Sequence, residues 1–152
     1  MHAFMRTVQA SVIIGVWLTS AACTSTEPPV GKMTDSLYNR LGGKPAIVKV
    51  IDEFVGNVSK DNRINGRFAT TNIPRLKGHL VDQVCAATDG PCTYSGRDMI
   101  TTHKGMGITN AEFSALVSDL VAALNTLNVP KAEQAELLSL LGPMKSDIVE
   151  IP

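Results

Sequence analysis

The chain has 152 residues, 44% of them apolar, with only seven aromatic side chains (four Phe, two Tyr, one Trp) and 14 basic residues against 14 acidic ones. That length is a prior for one domain. The apolar fraction excludes a disordered chain, and the zero formal charge argues against a nucleic-acid partner, which selects a basic excess.

In chain order, residues 1–23 read as an export leader. Arg6 is the only charged side chain, an apolar stretch runs from Val8 to Leu18, and the small-residue run Ser20-Ala21-Ala22-Cys23 follows. A weakly positive start, an apolar core and small residues at the cleavage site make a secretory signal. The apolar run is shorter than the ~20 residues that a spanning helix needs. Residues 24–33 (TSTEPPVGKM) form a tether without periodicity. Removing Arg6 with the leader leaves 13 basic and 14 acidic residues, and the tether takes Lys32 and Glu27, so the domain, residues 34–150, is near neutral.

From Thr34 onward the apolar spacing is mostly three and four, and the fold class is all-α. Gly42-Gly43 marks a tight turn, and Pro45 in the following first turn starts a helix. That helix carries Ala46, Ile47, Val50, Ile51, Phe54, Val55 and Val58 on one broad face. Leu76, Leu80, Val81 and Val84 repeat the pattern. The middle, about 61–107, is rich in Gly, Asp, Asn, Thr and Pro, and it holds His79 and His103. The third histidine, His2, lies beside the initiator. Thr109-Asn110-Ala111-Glu112 is a capping box, followed by the stripe Phe113, Leu116, Val117, Leu120, Val121, Leu124 and Leu127. Val129-Pro130 opens the last helix, and Gly142-Pro143 predicts a kink or a break in it. Strong helices around a loop-rich middle suggest a chain wrapped around something other than its own side chains.

Six stretches, LYNRLGGKPAIVKVIDEF, KDNRINGRF, RLKGHL, GPCTYSGRDM, THKGMGIT and VPKAEQAELLSLLGPMKSDIV, run in order from Leu37 to Val149. Together they resemble the truncated haemoglobins of group I. The resemblance implies a two-over-two helical sandwich around one haem b. A helix near 44–59 would pair with one near 72–87, and helices near 109–127 and 131–149 would form the second pair. A short proximal helix would surround His103 after an extended loop. The second Gly-Gly turn of the family is here Asp89-Gly90, so the turn requires Asp89 at positive φ, which Asp tolerates better than most residues.

By position in Met99-Ile100-Thr101-Thr102-His103-Lys104-Gly105-Met106, the resemblance makes His103 the proximal iron ligand. Haem iron needs a neutral imidazole whose other N–H usually donates to a carbonyl. The distal side departs from the family pattern. Val55 stands where many relatives carry Tyr, and Leu76 and Leu80 stand where Gln is frequent. His79, three residues after Leu76, leans toward the same face, and in some relatives His at this position coordinates the iron from the distal side. The resemblance further implies Phe54, Val55, Phe68, Leu76, Leu80, Tyr94, Met99, Met106, Ile108, Phe113 and Leu116 around the haem. Arg75, Lys77, Arg97 and Lys104 are candidates for its propionates, Lys77 foremost.

Cys85 and Cys92 flank the turn Thr88-Asp89-Gly90-Pro91, near enough for the ~5.5 Å Cα separation of a disulfide, and an exported protein permits one. The alternative is two free thiols. Cys23 stays unpaired, and Ala21-Ala22-Cys23 resembles the end of a bacterial lipobox, although Ser20 stands where Leu is usual. The expectation is a periplasmic lipoprotein, touching a membrane only through a lipid on Cys23.

Two functions follow from the resemblance. One is reversible binding of a diatomic gas, oxygen, nitric oxide or carbon monoxide, for oxygen transport or nitric oxide detoxification. Any nitric oxide dioxygenase turnover would need an external electron donor, because the chain has no flavin or nicotinamide motif. The other is electron transfer or redox and gas sensing by a bis-histidyl haem.

Overall fold

The computed structural model describes residues 35–152, so the leader 1–23, the tether 24–33 and the lipidation candidate Cys23 lie outside the described residues. The first helix, α1 (Leu37–Arg40), is one turn long and capped by the Ser36 hydroxyl. Gly42 (φ 96°) and Gly43 (φ 72°) then turn the chain sharply in left-handed conformations that favour glycine. They lead into α2 (Gly43–Lys60), which buries Ile47, Val50, Ile51, Phe54, Val55 and Val58 as the periodicity predicts.

A 3₁₀ turn at Asn65–Phe68 links α2 to α3 (Ile73–Ala87). The Asn72 side chain caps α3, and Pro74 occupies its first turn, where a missing N–H costs no hydrogen bond. The expected single stripe on α3 divides into two faces. Val81, Val84 and Cys85 are buried, whereas Leu76, His79, Leu80 and Gln83 are only half-buried. The loop after α3 contains Asp89 at φ 62°, the left-handed value the Asp89-Gly90 turn requires. Gly90 is needed for a different reason. A Cβ there would lie 2.4 Å from the Tyr38 ring and 2.7 Å from the Cys85 carbonyl oxygen.

The short helix α4 (Met99–His103) starts on an Asp98 cap and ends in His103. α5 (Asn110–Thr126) opens on the complete capping box of Thr109 and Glu112. Its fully buried face is Ala115, Asp119, Leu120, Ala123 and Leu124, while Phe113, Leu116 and Val117 are half-buried on the other flank. Leu127 ends exposed because the helix stops at Thr126. The final helix breaks where Gly142-Pro143 predicts, into α6 (Lys131–Leu141), a 3₁₀ turn at Gly142–Met144, and α7 (Lys145–Ile148).

α2 packs most extensively on α5 and on α3, and α4 rests against α7. Ile47, Val50, Val84, Leu124 and Leu137 line one small cavity, so α2, α3, α5 and α6 converge there. Two local devices hold the ends in place. Arg40 pairs with Glu133 at 3.4 Å and with Glu136, tying α1 to α6. The Tyr38 amide donates to the Thr88 carbonyl at 2.9 Å, tying α1 to the end of α3. Below α2, the Asp61 carboxylate is held low chiefly by its hydrogen bonds from Arg63, while burial and neighbouring Asp61 push Asp119 up. Ile151 forms a parallel bridge with Thr109, a two-residue pairing too short to leave any alternation in the sequence.

The capping box makes the fold acid-sensitive. Arg67 donates to Glu112 Oε1 at 2.7 Å, and together with the Thr109 backbone it lowers the Glu112 carboxyl from 4.5 to about 2. The folded protein therefore binds fewer protons at Glu112 than the unfolded chain. The resulting stability is fully present above pH 4.5 and is lost as the pH falls toward about 2. Thermal unfolding measured across this window should fall steeply in the wild type. In Glu112→Gln the fall should be shallower by about one linked proton.

Candidate haem site

α3 and α4 carry the two histidines, and their contacts define the site. His103 Nδ1 lies 2.9 Å from the Met99 carbonyl oxygen. A carbonyl only accepts, so Nδ1 carries a proton, and in the neutral ring the lone pair falls on Nε2. Among the described residues Nε2 has no hydrogen-bond partner. His103 thus presents the neutral imidazole donor that haem iron requires, with the carbonyl fixing ring and tautomer.

The half-buried stripe of α3 meets α4 through Gln83. Its side-chain amide lies 3.6 Å from the sulfur of Met99 and 3.6 Å from that of Met144. Leu76, His79 and Gln83 stand at positions i, i+3 and i+7, a single helical face. His79 is half-buried, its ring 6.2 Å edge-on from that of Tyr94, and its Nε2 accepts from Arg75 Nε at 3.4 Å. The Tyr94 hydroxyl donates to the Arg97 carbonyl at 2.8 Å and is committed there.

The expected pocket residues fall into three groups. Phe54, Val55 and Ile108 are buried. Phe68, Leu76, Leu80, Tyr94, Met99, Phe113 and Leu116 are half-buried, a band of large apolar surface that their own helices leave incompletely covered. Met106 is 39% exposed. It stands between Gly105 (φ 79°) and Gly107 (φ 60°), whose left-handed backbones turn the loop so that Ile108, not Met106, is buried. The preference for Lys77 as propionate partner also changes. Its ammonium donates to Asp52 on α2 at 2.9 Å, on the side of α3 away from His79. Arg75, beside His79, and the exposed Arg97 and Lys104 remain. Gln83 and Met144 were not singled out in the sequence. The available signal was the spacing of Gln83, four residues after His79.

Cys85 and Cys92 form a disulfide with Cα atoms 5.7 Å apart. It ties the end of α3 to the extended loop that leads to α4. The protein groups fit a haem: an imidazole held by a carbonyl through Nδ1, half-buried apolar side chains along α3, and the Arg75 guanidinium beside His79.

A family model described as bacterial-like globin matches residues 36–150. The chain is a bacterial-like globin. It is 36% identical to the group 1 truncated haemoglobin GlbN of Mycolicibacterium paratuberculosis, over 74% of this chain and 83% of that protein. It is 31% identical to the GlbN of a Nostoc species, over 75% of this chain and 97% of that protein. In structure, this globin is similar to the Fe(III) form of the truncated haemoglobin of Tetrahymena pyriformis. That match has a TM-score of 0.73 and 28% identity, covering 76% of this chain and 98% of the other. It is also similar to a Synechococcus 2/2 haemoglobin solved in the cyanomet state with covalently attached haem. There the TM-score is 0.72 and the identity 30%, over 76% of this chain and 98% of the other. The fold is therefore the two-over-two helical sandwich, and this globin binds haem b and a diatomic gas.

Proposed function

We propose that this globin holds its haem through His103 and offers diatomic gases an apolar distal side built from Val55, Leu76 and Leu80. The observation that carries the reading is the His103–Met99 hydrogen bond, which leaves Nε2 free as the iron donor. Haem, when bound, would supply the iron that binds the gas, with His103 as the protein's donor to it. Phe54, Phe68, Phe113 and Leu116 would contribute apolar surface that excludes water. Arg75, Arg97 and Lys104 would meet the propionates at the solvent edge. Met106 and Lys77 are left out of this set, the first for its exposure and the second for its pairing with Asp52. With no hydroxyl at position 55, the reading is rapid and reversible oxygen binding rather than prolonged retention for nitric oxide oxidation. Any such oxidation would draw electrons from a separate reductase.

A second reading, a bis-histidyl haem for electron transfer or redox sensing, is favoured by one observation. His79 shares its helix face with Gln83, which touches the helix of His103. In this reading His79 Nε2, now in long contact with Arg75 Nε, would be the second residue holding the iron. The ferrous absorption spectrum separates the two. The first reading predicts a five-coordinate spectrum in the wild type, and the second a six-coordinate low-spin one. Under the second, His79→Leu should give a high-spin spectrum and faster carbon monoxide binding. Under the first, both observables should stay as in the wild type.

The proposal extends to location. The leader 1–23 supports export, with Cys23 as the lipid-bearing first residue of the mature chain. The Cys85–Cys92 disulfide agrees with an oxidising compartment.

A further inference from the structure

The segment that follows His103 is a loop with almost no regular structure of its own, yet both sides of its backbone are committed. Its carbonyls face a cation. Arg67 donates to the Met106 carbonyl at 2.7 Å and to that of Gly107 at 3.5 Å, while also pairing with Glu112 at 2.7 Å. Its amides face an anion. The Gly105 N–H donates to Glu150 Oε1 at 2.6 Å, and the Gly107 N–H to Glu150 Oε2 at 2.5 Å. The two glycines are left-handed, which turns successive N–H groups to one concave side, the geometry of an anion-binding nest. Glu150 belongs to the last three residues of the chain. The backbone beside it is stitched to the same loop, since the Glu150 and Ile151 amides both donate to the Ile108 carbonyl, at 2.9 and 3.1 Å. Asn110 returns a hydrogen bond to the Ile151 carbonyl at 3.2 Å.

We propose that Glu150 is a positioning residue for His103, a C-terminal latch that fixes the loop at the end of α4 and so the placement of the proximal imidazole. The proposal rests on His103 as the haem ligand. His103 is the last residue of a five-residue helix, too short to hold its own orientation. Two things restrain it: the Met99 carbonyl, from within the helix, and the loop that begins one residue later. A carboxylate suits that loop because it offers one oxygen to each of two N–H groups. An amide offers a single acceptor and turns a donor against the second N–H.

The test uses the full haem-loaded chain with Glu150→Gln, and Glu150→Ala as a second variant. Both are made also in the His79→Leu background, so that the ferrous protein is five-coordinate. Four readouts are needed: haem transfer to apomyoglobin, the iron–histidine stretching band, amide exchange at Gly105 and Gly107, and thermal unfolding. The expected result is faster amide exchange at both glycines, a displaced iron–histidine band, and haem loss faster by about tenfold, the usual scale for groups that orient a metal ligand. Thermal unfolding should be nearly unchanged, which separates positioning from general stability. Haem loss within twofold of wild type with an unmoved band overturns the latch, as does unchanged exchange at the glycines. A wild-type protein without a Soret band overturns the haem reading itself, and with it the latch. A normal Soret band with unmoved readouts overturns the latch alone.

Discussion

Replacing His103 by glycine should raise the rate of haem loss by more than about 100-fold. Groups that merely orient a metal ligand account for 10- to 100-fold, and this change removes the ligand. The effect has two physical sources. On the proposed reading the iron loses its proximal donor, and the Met99 carbonyl loses the N–H that now lies 2.9 Å away. Added imidazole should restore much of the affinity, because glycine leaves a space of the right shape. Haem transfer to apomyoglobin, followed with and without imidazole, measures both. A variant that keeps its haem as firmly as wild type would remove His103 from the proximal role. The variant retains His79, so the double change His103→Gly, His79→Leu should lose haem faster still if His79 supplies any bond.

Placing a hydroxyl on the distal side should have the next largest effect. Val55 is buried on α2, at the position where many relatives resembling this globin carry Tyr. A hydrogen bond to a partly charged acceptor contributes about 1.5–3 kcal/mol. Val55→Tyr should therefore slow oxygen dissociation by about ten- to a hundredfold, since each 1.36 kcal/mol is a factor of ten. Carbon monoxide is far less polar, and its dissociation should change much less. That contrast distinguishes a hydrogen bond from simple crowding, which would affect both gases alike. Tyr also overfills a packed position, which typically costs about 1–3 kcal/mol, so a lower Tm is expected alongside the slower rate. The measurement belongs in the His79→Leu background, where no distal imidazole competes. Equal changes for the two gases would show that position 55 does not address the bound ligand.

These predictions lean on features of unequal legibility. Helix positions could be read directly, because each rests on residues three or four apart. The stripe Ile47, Val50, Ile51, Phe54, Val55 and Val58 is buried as its spacing requires. The Thr109–Glu112 box closes within one turn, and the Gly142-Pro143 break falls where the missing N–H dictates. The faces of α3 were harder. Leu76 and Leu80 carry the same hydropathy signal as Val81 and Val84. Hydropathy reports that a side chain is apolar, without saying whether a helix or a haem will cover it. The structure separates them by burial.

The least legible features join distant segments. Lys77 looked like an anion partner from its place beside Leu76, yet Asp52, 25 residues away, holds it. Met106 sits in a matching motif and is 39% exposed between two left-handed glycines. Gln83 and Met144 meet across 61 residues, and although each keeps the spacing of its own helix face, nothing in the sequence pairs the two.

By itself the sequence determined the helical class, the helix ends, the turn at Asp89 and the cysteines able to pair. All of these depend on neighbours within about two turns of chain, or on a motif read as a unit. Only the tertiary structure decided which cations are already paired, which face of α3 meets α4, and how the loop after His103 is held. Arg67 and Glu150 reach that loop from 39 and 45 residues away. Such polar partners obey no period, and their meeting is set by the path the whole chain takes around its core.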